Sequence, residues 1–412
     1  MLKHIGIPTL DISGRTDWQS IVDREKNQYL GHVTTAMTAD GKTVYAVYPK
    51  CHALGQIVLK RSGDGGRSCS ERLSVPASWT HSLECPTLFR MADAQGCERF
   101  FLFSGGYPAM RSVSEDGGRT FSEFEQLPFG GIVVLSAMAC VGPGHYIALF
   151  HDEGAFIRGG HETLWRVYAA GEGANRRTYT TISRRENGAW GEEKKWWVSC
   201  DVRPDEKWEL VYETECGLPF ADGHFELYQI ETADGGLTWT EPRVIANHET
   251  ARLCEPCLVS EPNGKRLAVI LRENARRMNS MMMLSTDQGR TWTVPVELPA
   301  ALTGDRHVVR TLPDGRLFIT FRDRCGVSDT PGDWLAWVGT WDDLVSGREG
   351  QYRVLIKRDL EGWDCAYAGL ECLPDGRLLA VTYGHWEKGE APYILAVRID
   401  MAELDRLYAA AH

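Results

Sequence analysis

The sequence predicts an all-β protein built from one repeated unit, and the first reason is a short phrase that occurs four times. The copies start at Ser62, Ser114, Thr232 and Ser285, and each continues with an aspartate, one or two glycines and a hydroxyl side chain. Aspartate hydrogen-bonds its own backbone and glycine supplies positive φ, so the phrase is typical of a β-hairpin tip. Four copies beside strand-like apolar runs indicate a repeated supersecondary unit.

The second reason is the order of the apolar segments between these copies. A short strand, a turn, a second apolar strand such as 43–48 or 317–321, and a strand that leads into the phrase recur along the chain. This is the order of strands in a four-stranded propeller blade. First strands are expected at residues 31–39, 83–91, 131–141, 253–262, 305–313 and 365–374. The sequence therefore predicts a six-bladed β-propeller of four-stranded antiparallel blades, with residues 1–412 as a single domain.

The ends of the chain are expected to complete this ring. Blade five offers only residues 340–343 in place of the phrase, and blade six has no copy. Residues 2–10 are expected to pair with a strand at 393–399, because this pairing removes an exposed strand edge. Residues 401–410 are expected to form a short helix.

Blade three contains an insertion at residues 154–223. About ninety residues separate its first strand from its copy of the phrase, instead of about thirty in other blades. The insertion is polar and glycine-bearing, and its tryptophans are Trp165, Trp190, Trp196, Trp197 and Trp208. It is expected to be either a surface decoration or oligomer contact, or a substrate-binding lid over one face.

Composition limits the classes of partner. The formal net charge of -11 disfavours nucleic acid and anionic membranes as partners. No apolar run is long enough to span a bilayer, and the first residues lack the apolar region of a signal peptide. The 12 cysteines show no framework pattern, which fits a cytoplasmic protein, or a secreted or periplasmic one whose signal peptide was removed. Cys254 and Cys257 have no second pair at zinc-ligand spacing, so no metal or organic cofactor is expected.

Titratable residues gather at one face of the predicted propeller. The beginnings of the first strands and the ends of the second strands meet around the central axis at this face. Charged groups beside a core point to a functional site. The strand beginnings supply His32, Glu84, Glu255, Asp305, Arg306, His307, Asp364 and Tyr367, and the second-strand ends supply Lys50, His52, Tyr107, His151, Asp152, Arg272, Arg322, Asp323 and His385.

The repeated phrase resembles the Asp-box (BNR repeat) of the sialidase superfamily, and two blades extend this resemblance to single residues. The segment from Cys254 through Arg272 to the phrase at Ser285 resembles the family's fourth blade, and the segment around Tyr367 resembles its sixth. The resemblance implies that Tyr367 is the nucleophile, that Glu255 is its partner, and that Arg272 is one arm of a clamp for the substrate carboxylate. The alternative for Tyr367 is an aromatic residue of the core.

A tyrosine nucleophile suits a sugar that carries a carboxylate at its anomeric carbon. An anionic Asp or Glu would be repelled by that carboxylate, whereas a neutral phenol is not. A phenol with an ordinary pKa near 10 is a weak nucleophile, so a glutamate within hydrogen-bond reach must take its proton during attack.

The chain departs from the family pattern at two paired positions. The family's Arg-Ile-Pro in blade one is replaced by residues 31–33, with His32 at the position of the arginine. The glutamate that holds this arginine in blade six is replaced in the segment 383–386, which contains His385. Both changes together indicate a rebuilt pocket, so His32 and His385 are expected to contact substrate together with Glu84.

The acid/base aspartate of the family is also missing from the loop after residue 47. His52 is the candidate for its role, because histidine titrates near neutral pH, and Asp152 and Glu84 are the alternatives.

The carboxylate clamp must then combine Arg272 and Arg322 with Arg306 or Arg111. Planar guanidinium groups bind a carboxylate through two parallel hydrogen bonds. The alternative is that these arginines form rim ion pairs with Asp323 and Glu273.

The expected function is that of an exo-α-sialidase-like retaining glycoside hydrolase, which releases a terminal sialic acid or related 2-keto acid sugar. The expected partner is a sialylated or other acidic glycan. Two alternatives remain: a hydrolase or lyase for a uronic acid sugar that uses His32, His52 and His385, and a non-catalytic glycan-binding propeller.

Overall fold

The computed structural model describes residues 5–173, 176–196, 202 and 205–411. Its strands form seven sheets within these residues, and nearly all neighbouring strands are antiparallel, so the protein has an all-β fold as predicted. Six sheets follow one another along the chain and are named I to VI here. The seventh, formed by residues of the insertion, is named the insertion sheet. No described helix is long and apolar enough to cross a bilayer.

The strands have the following bounds. Two short strands come first, β1 (Thr9–Asp11) and β2 (Gln19–Asp23). Sheet I contains β3 (Thr34–Met37), β4 (Val44–Pro49) and β5 (Ile57–Ser62). Sheet II contains β6 (Thr87–Ala92), β7 (Glu98–Ser104), β8 (Met110–Ser114) and β9 (Glu125–Gln126). Sheet III begins with β10 (Ile132–Gly142) and β11 (His145–Asp152).

The insertion sheet interrupts sheet III. It contains β12 (Gly159–Ala170), β13 (Arg177–Glu186), β14 (Ala189–Trp190), β15 (Lys194–Trp196) and β16 (Glu209–Cys216). Sheet III then ends with β17 (Glu226–Thr232) and β18 (Arg243–Asn247). Trp197 of the insertion lies outside the described residues.

The remaining strands form sheets IV to VI. Sheet IV contains β19 (Leu253–Ser260), β20 (Leu267–Glu273), β21 (Met281–Ser285) and β22 (Val296–Glu297). Sheet V contains β23 (Gly304–Thr311), β24 (Leu317–Asp323), β25 (Trp334–Gly339) and β26 (Tyr352–Lys357), followed by β1. Sheet VI contains β27 (Gly369–Cys372), β28 (Leu378–Gly384) and β29 (Tyr393–Ile399), followed by β2.

Helices are few and short among the described residues. Helix α1 (Trp341–Val345) follows Thr340, whose side chain caps it, and takes the place of the repeated phrase in sheet V. Helix α2 (Met401–Ala411) is the predicted terminal helix. Single 3₁₀ turns span Thr16–Trp18, Ala77–Thr80 and Ala300–Leu302.

The hydrophobic core lies between successive sheets. Strands β4, β24 and β28 are buried along their whole length, which explains why the second strands read as continuous apolar runs. Each large apolar cluster joins two neighbouring sheets, such as Trp334 of sheet V with Leu378 of sheet VI. The first strand of each sheet contacts the first strand of the next, and the first strand of sheet VI contacts that of sheet I.

The pairing expected for residues 2–10 is wrong. Strand β2, not residues 2–10, pairs with β29 and completes sheet VI, whereas β1 pairs in parallel with β26 of sheet V. Residues 2–4 lie outside the described residues. The outer strands of sheets V and VI, β26 and β29, both have an edge that a further strand can pair with. The apolar residues 5–10 do not indicate which of these edges they cover.

The repeated phrase forms the turn after the third strand in sheets I to IV. The Asp64 carboxylate accepts hydrogen bonds from the backbone N–H groups of Arg67 and Ser68, both at 3.0 Å. The backbone N–H of Gly66 donates to Ser62 Oγ at 2.8 Å. Partial burial opposes ionisation of Asp64, but the hydrogen bonds outweigh it and lower its pKa to about 2. The carboxylates of the other three copies likewise accept the N–H of Thr120, Thr238 and Thr291.

Candidate active site

The entrances of the first strands share an unusual backbone conformation. A non-glycine residue with positive φ stands at or just before the first strand in five of the six sheets: His32 (54°), Val133 (49°), Glu255 (48°), Arg306 (49°) and Ala366 (67°). Such residues are uncommon and strained, and they cluster at functional sites. The register of sheets IV and V shifts at the same place, between Cys254 and Cys257 and between Asp305 and Val308.

A cavity of about 910 Å³ lies where these strand entrances meet the insertion sheet. Segments of sheets I to IV and VI contribute several titratable side chains to its wall, namely His32, His52, Glu84, Glu153, Glu255, Arg272 and Tyr367. The insertion sheet contributes aromatic and charged side chains, among them Trp165, Arg184, Lys194 and Trp196. The cavity therefore joins both parts of the molecule.

Tyr367, Glu255 and Arg272 form one hydrogen-bonded group in the cavity wall. The Tyr367 hydroxyl donates to Glu255 Oε1, although the two residues lie 112 positions apart in the sequence. Nη1 of Arg272 donates to the Tyr367 hydroxyl oxygen at 2.7 Å and to Glu255 Oε1 at 2.5 Å. Glu255 and Tyr367 are almost completely buried. The structure therefore brings together three residues that the resemblance assigned to the site.

The electrostatics of this group favour a charged glutamate and a neutral tyrosine. Burial alone would raise the pKa of Glu255, but the Arg272 guanidinium and the Tyr367 hydroxyl outweigh it and hold the pKa below its ordinary value. Burial raises the pKa of Tyr367 well above its ordinary value, although Arg272 opposes this shift. An ionised carboxylate thus accepts the proton of a neutral phenol, as a base and a nucleophile require before attack.

Asp305 lies at the centre of an arginine cluster beside this group. Its fully buried carboxylate accepts hydrogen bonds from Arg276 at 3.0 Å and from Arg322 at 2.8 Å. Nε of Arg272 lies 3.2 Å and Nε of Arg324 3.9 Å from the same carboxylate. Burial opposes ionisation of Asp305, but the guanidinium groups outweigh it and hold its pKa far below the ordinary value. Arg272 and Arg322 therefore share an internal carboxylate partner.

A second cluster surrounds His52 on the neighbouring part of the wall. Nδ1 of His52 lies 2.9 Å from the Tyr29 hydroxyl and 3.3 Å from Asp364 Oδ2. Tyr29 and Tyr383 donate their hydroxyl hydrogens to the Asp364 carboxylate at 2.7 Å and 2.8 Å. Burial opposes ionisation of Asp364, but hydrogen bonds from His52 and Tyr29 help to hold its pKa far below the ordinary value.

His32 connects the two clusters. Its ring meets the rings of His52 and Tyr367 edge to face, with centroids 4.4 Å and 4.6 Å apart. Nδ1 of His32 accepts the backbone N–H of Ala53 at 3.0 Å. Burial and the nearby His52 lower the pKa of His32 well below its ordinary value, so a neutral imidazole stands at the position of the family's arginine.

Two of the remaining predicted residues have structural partners outside the cavity. Asp152 is fully buried, and its carboxylate accepts the backbone N–H groups of Gly154 at 2.6 Å and Ile157 at 3.2 Å. Asp152 therefore fixes the loop that leads into the insertion, and the prediction that it is an alternative acid is corrected. The Arg306 guanidinium donates to the Ser136 carbonyl at 2.9 Å, and only its backbone N–H reaches Glu255, at 3.0 Å.

Arg111 and His385 also lie outside the cavity wall. Arg111 pairs with Glu125 at 2.6 Å on the outer part of sheet II, so its assignment to the carboxylate clamp is corrected. Nδ1 of His385 lies 3.6 Å from the buried Asp359 carboxylate, and His385 is not among the residues that line the cavity, so its contact with substrate stays a prediction.

Burial raises the pKa of two carboxyl groups of the wall. Burial raises the pKa of Glu84 to about 8. Burial also raises the pKa of Glu153, although Arg252 opposes this shift. Glu84 is thus an acid that holds its proton at neutral pH, which is the property a general acid needs.

Sequence reasoning missed the roles of Tyr29, Glu153 and Asp305. Tyr29 precedes the first strand in a segment without a strand pattern, and Glu153 directly follows the predicted Asp152. Asp305 was expected at the same face, but only the structure shows that its side chain turns toward Arg272 and Arg322.

Comparison with known proteins finds one family match and many similar structures. Residues 214–352 match the model of the BNR repeat-like domain. No curated protein matches the chain. A protein of unknown function from Dyadobacter fermentans has a TM-score of 0.57 at 14% identity, with 92% of this chain and 97% of that chain covered. This similarity shows a shared fold.

Two sialidase-type enzymes show weaker similarity. The NanB sialidase from Streptococcus pneumoniae has a TM-score of 0.48 at 12% identity, with 94% of this chain and 71% of that chain covered. The leech intramolecular trans-sialidase has a TM-score of 0.48 at 14% identity, with 98% and 70% covered. The match of residues 214–352 to the BNR repeat-like domain confirms the resemblance that the four repeated turns predict.

Proposed function

We propose that sheets I to VI close into a six-bladed β-propeller, and that residues 1–412 form one domain with an insertion at 154–223. The cyclic contacts among the first strands support this arrangement. We further propose that the protein is a retaining exo-acting glycoside hydrolase that releases a terminal sialic acid or related 2-keto acid sugar. The observation that carries this proposal is the hydrogen bond from the Tyr367 hydroxyl to Glu255 in the wall of a large cavity. Arg272 donates to the hydroxyl oxygen of Tyr367 and to Glu255 Oε1.

In the proposed reaction, the Tyr367 oxygen attacks the anomeric carbon while Glu255 takes the phenol proton. The bond from the anomeric carbon to the leaving oxygen breaks, and a general acid protonates that oxygen. Water then attacks the glycosyl-tyrosine, and the deprotonated general acid takes the proton of this water. The sugar leaves with its original anomeric configuration, while Glu255 returns the proton to Tyr367. Arg272 stabilises the negative charge that develops on the phenol oxygen, because a charge-assisted hydrogen bond strengthens as that charge grows.

The charge around the arginine cluster suits an acidic sugar. Four guanidinium groups, those of Arg272, Arg276, Arg322 and Arg324, lie around the Asp305 carboxylate. Among the neighbouring carboxylates, Glu255 contacts Arg272, and Asp364 lies 3.7 Å from Arg322. Four positive charges therefore face three negative ones. The surplus positive charge favours an anionic substituent near Arg272, the member of this cluster that lines the cavity.

His52 is the proposed general acid, with Glu84 as the alternative. Both side chains line the cavity that Tyr367 lines. The contact of His52 Nδ1 with Tyr29 and Asp364 fixes the orientation of its imidazole. Burial raises the pKa of Glu84 to about 8, so its carboxyl group carries a proton at neutral pH.

The same His52 contact favours a second candidate function. A hydrolase or lyase for a uronic acid sugar would use the histidine held by Asp364 as its proton-transfer group, with His32 beside it. Tyr367 would then bind substrate rather than attack it.

Turnover measurements separate these functions. An aryl α-sialoside and a panel of aryl uronides are offered to the wild-type protein, Tyr367→Phe and His52→Ala across about pH 4 to 8. The proposal expects release from the sialoside by the wild type and its loss in Tyr367→Phe, with sugar binding retained. Uronide cleavage that survives Tyr367→Phe but not His52→Ala would support the second candidate. Sugar binding without any turnover would identify a glycan-binding protein instead.

A further inference from the structure

One face of the insertion sheet forms a wall of the cavity. Trp165 of β12 pairs with Ile182 of β13, and Ile182 pairs with Lys194 of β15. Arg184 lies two residues beyond Ile182 on β13, and Trp196 lies two residues beyond Lys194 on β15; because these strands are antiparallel, the two residues flank the Ile182–Lys194 pair from opposite sides. Alternate residues of a strand share a face. All five side chains line the same cavity as Tyr367 and Glu255. The insertion therefore presents a defined surface to the candidate active site.

The inner and outer parts of this face differ in their packing. Trp165 is almost fully buried, and its ring packs against that of Phe156 with centroids 5.4 Å apart. Trp196 is 45% exposed and meets Trp165 edge to face, with centroids 6.1 Å apart. A buried tryptophan therefore supports an exposed one, which leaves an indole surface open toward the cavity. An exposed aromatic ring fixed in a pocket wall is a common means of binding an apolar ring face.

The insertion sheet supplies charged groups of both signs to the cavity wall. Arg184, Lys194 and Lys195 are positively charged, and Glu186 and Glu192 are negatively charged. Side chains of both signs together suit a ligand that is rich in hydroxyl groups, because hydroxyls both donate and accept hydrogen bonds. The arginine cluster beside Tyr367 suits an anionic ligand instead.

We propose that Trp196, supported by Trp165, is the stacking platform for a second sugar ring, the neutral pyranose on the leaving side of the scissile bond. Lys194, two residues from Trp196 on β15, then donates a hydrogen bond to one of its hydroxyl oxygens. The cavity volume of about 910 Å³ is near the upper end of small-molecule sites, which suits more than one ring. The assignment to the leaving side depends on the proposed function, whereas the assignment of a sugar platform does not.

Binding measurements on the inactive protein test this platform. Tyr367→Phe is combined with Trp196→Ala, Trp196→Phe or Trp190→Ala, and sugar affinity is measured by calorimetry. Trp190 is the matched control, because it lies on β14 of the same sheet and stacks on Arg185 outside the cavity wall. The probes are 3′-sialyllactose, a hyaluronan tetrasaccharide, and the monosaccharides N-acetylneuraminic acid and glucuronic acid.

The platform predicts a loss that is specific to the longer sugars. Trp196→Ala weakens binding of the preferred oligosaccharide about fivefold, whereas Trp196→Phe keeps most of the affinity and Trp190→Ala all of it. Affinity for the monosaccharides stays unchanged in every variant. Equal weakening for monosaccharides and oligosaccharides, no weakening at all, or no oligosaccharide binding would overturn the platform. If the wild type hydrolyses none of these sugars but Trp196→Ala still weakens oligosaccharide binding, the proposed hydrolase is refuted and the sugar platform is supported.

Discussion

The two clusters of the cavity wall both pair tyrosine with a buried carboxylate, yet their surroundings differ. Glu255 accepts the hydroxyl of Tyr367 and has Arg272 beside it, whereas Asp364 accepts the hydroxyls of Tyr29 and Tyr383 and has His52 beside it. A fixed positive charge next to the first tyrosine favours its anionic form. The second carboxylate instead has an imidazole beside it, and histidine is the side chain most often used as a general acid or base. The first cluster is therefore suited to nucleophilic attack and the second to proton transfer.

The largest expected effect is a difference in turnover between variants of the two carboxylates, Glu255 and Asp364. Glu255→Gln removes the base for Tyr367 and is expected to lower kcat by about 10²- to 10⁴-fold. Asp364→Asn leaves the nucleophile intact and weakens the positioning of His52, so a smaller loss of about tenfold and an altered pH profile are expected. Steady-state kinetics across pH measures both variants. Equal losses with identical pH profiles would show that the clusters do not have separate roles.

The next effect concerns the arginine cluster that lies between them. Asp305→Asn leaves Arg272, Arg276 and Arg322 without their shared buried carboxylate and is expected to lower the free energy of unfolding by about 3–5 kcal/mol. Urea unfolding measures the change. Asp375→Asn is the control, because Asp375 pairs with Arg377 and Arg398 at the surface and is expected to change stability by less than about 1 kcal/mol. Similar changes in both variants would contradict the account of Asp305.

A pH effect distinguishes Glu84 from His52 as the acid. The pKa of Glu84 is about 8 in the folded protein, above its ordinary value of 4.5. If Glu84 donates the proton, activity falls as pH rises through about 8, and Glu84→Gln abolishes activity. If His52 donates it, Glu84→Gln keeps most of the activity.

Stability provides a second check on the same group. Between pH 4.5 and about 8 the folded state keeps the Glu84 proton and the unfolded state loses it. Stability therefore falls as pH rises through this range, and Glu84→Gln should reduce that slope. Urea unfolding at several pH values measures it, and an unchanged slope would show that Glu84 is not protonated in the folded protein.

The smallest expected effect lies far from the cavity, at an Asp-box turn. Asp64→Asn weakens the hydrogen bonds from Arg67 and Ser68 and is expected to cost about 1 kcal/mol of stability at neutral pH. The folded pKa of Asp64 is about 2, below the ordinary 3.8, so this contribution is present above pH 3.8 and is lost as pH falls toward 2. Unfolding at neutral and acid pH checks the difference, and turnover should not change.

The fold and the first cluster were largely predictable from the sequence. The Asp-box phrase has a local cause, since Asp64 and its equivalents bond to backbone a few residues away. Glu255 and Tyr367 stand at the entrances of their first strands, and the strand order alone brings them to one face. The second cluster was only partly predictable, because Tyr29 lies outside any strand pattern.

Side-chain direction and edge pairing were the parts that sequence patterns did not determine. Asp152 and Arg306 stand at predicted positions, yet Asp152 turns to its own loop and the Arg306 guanidinium to a carbonyl of sheet III. His385 follows the second strand of sheet VI as predicted, but its imidazole lies beside Asp359 and does not line the cavity. Strand β2 rather than residues 2–10 covers the edge of sheet VI, because short strands carry little register information.

The most direct test of the central claim is to trap the sugar on Tyr367. A difluorinated sialic acid, whose fluorine next to the anomeric carbon slows hydrolysis of a covalent intermediate, is incubated with the wild type and with Tyr367→Phe, and digested peptides are examined by mass spectrometry. The account predicts a glycosyl adduct on the peptide that contains Tyr367, and no adduct in Tyr367→Phe. An adduct on another residue, or turnover of a sialoside with inversion and without any adduct, would contradict it.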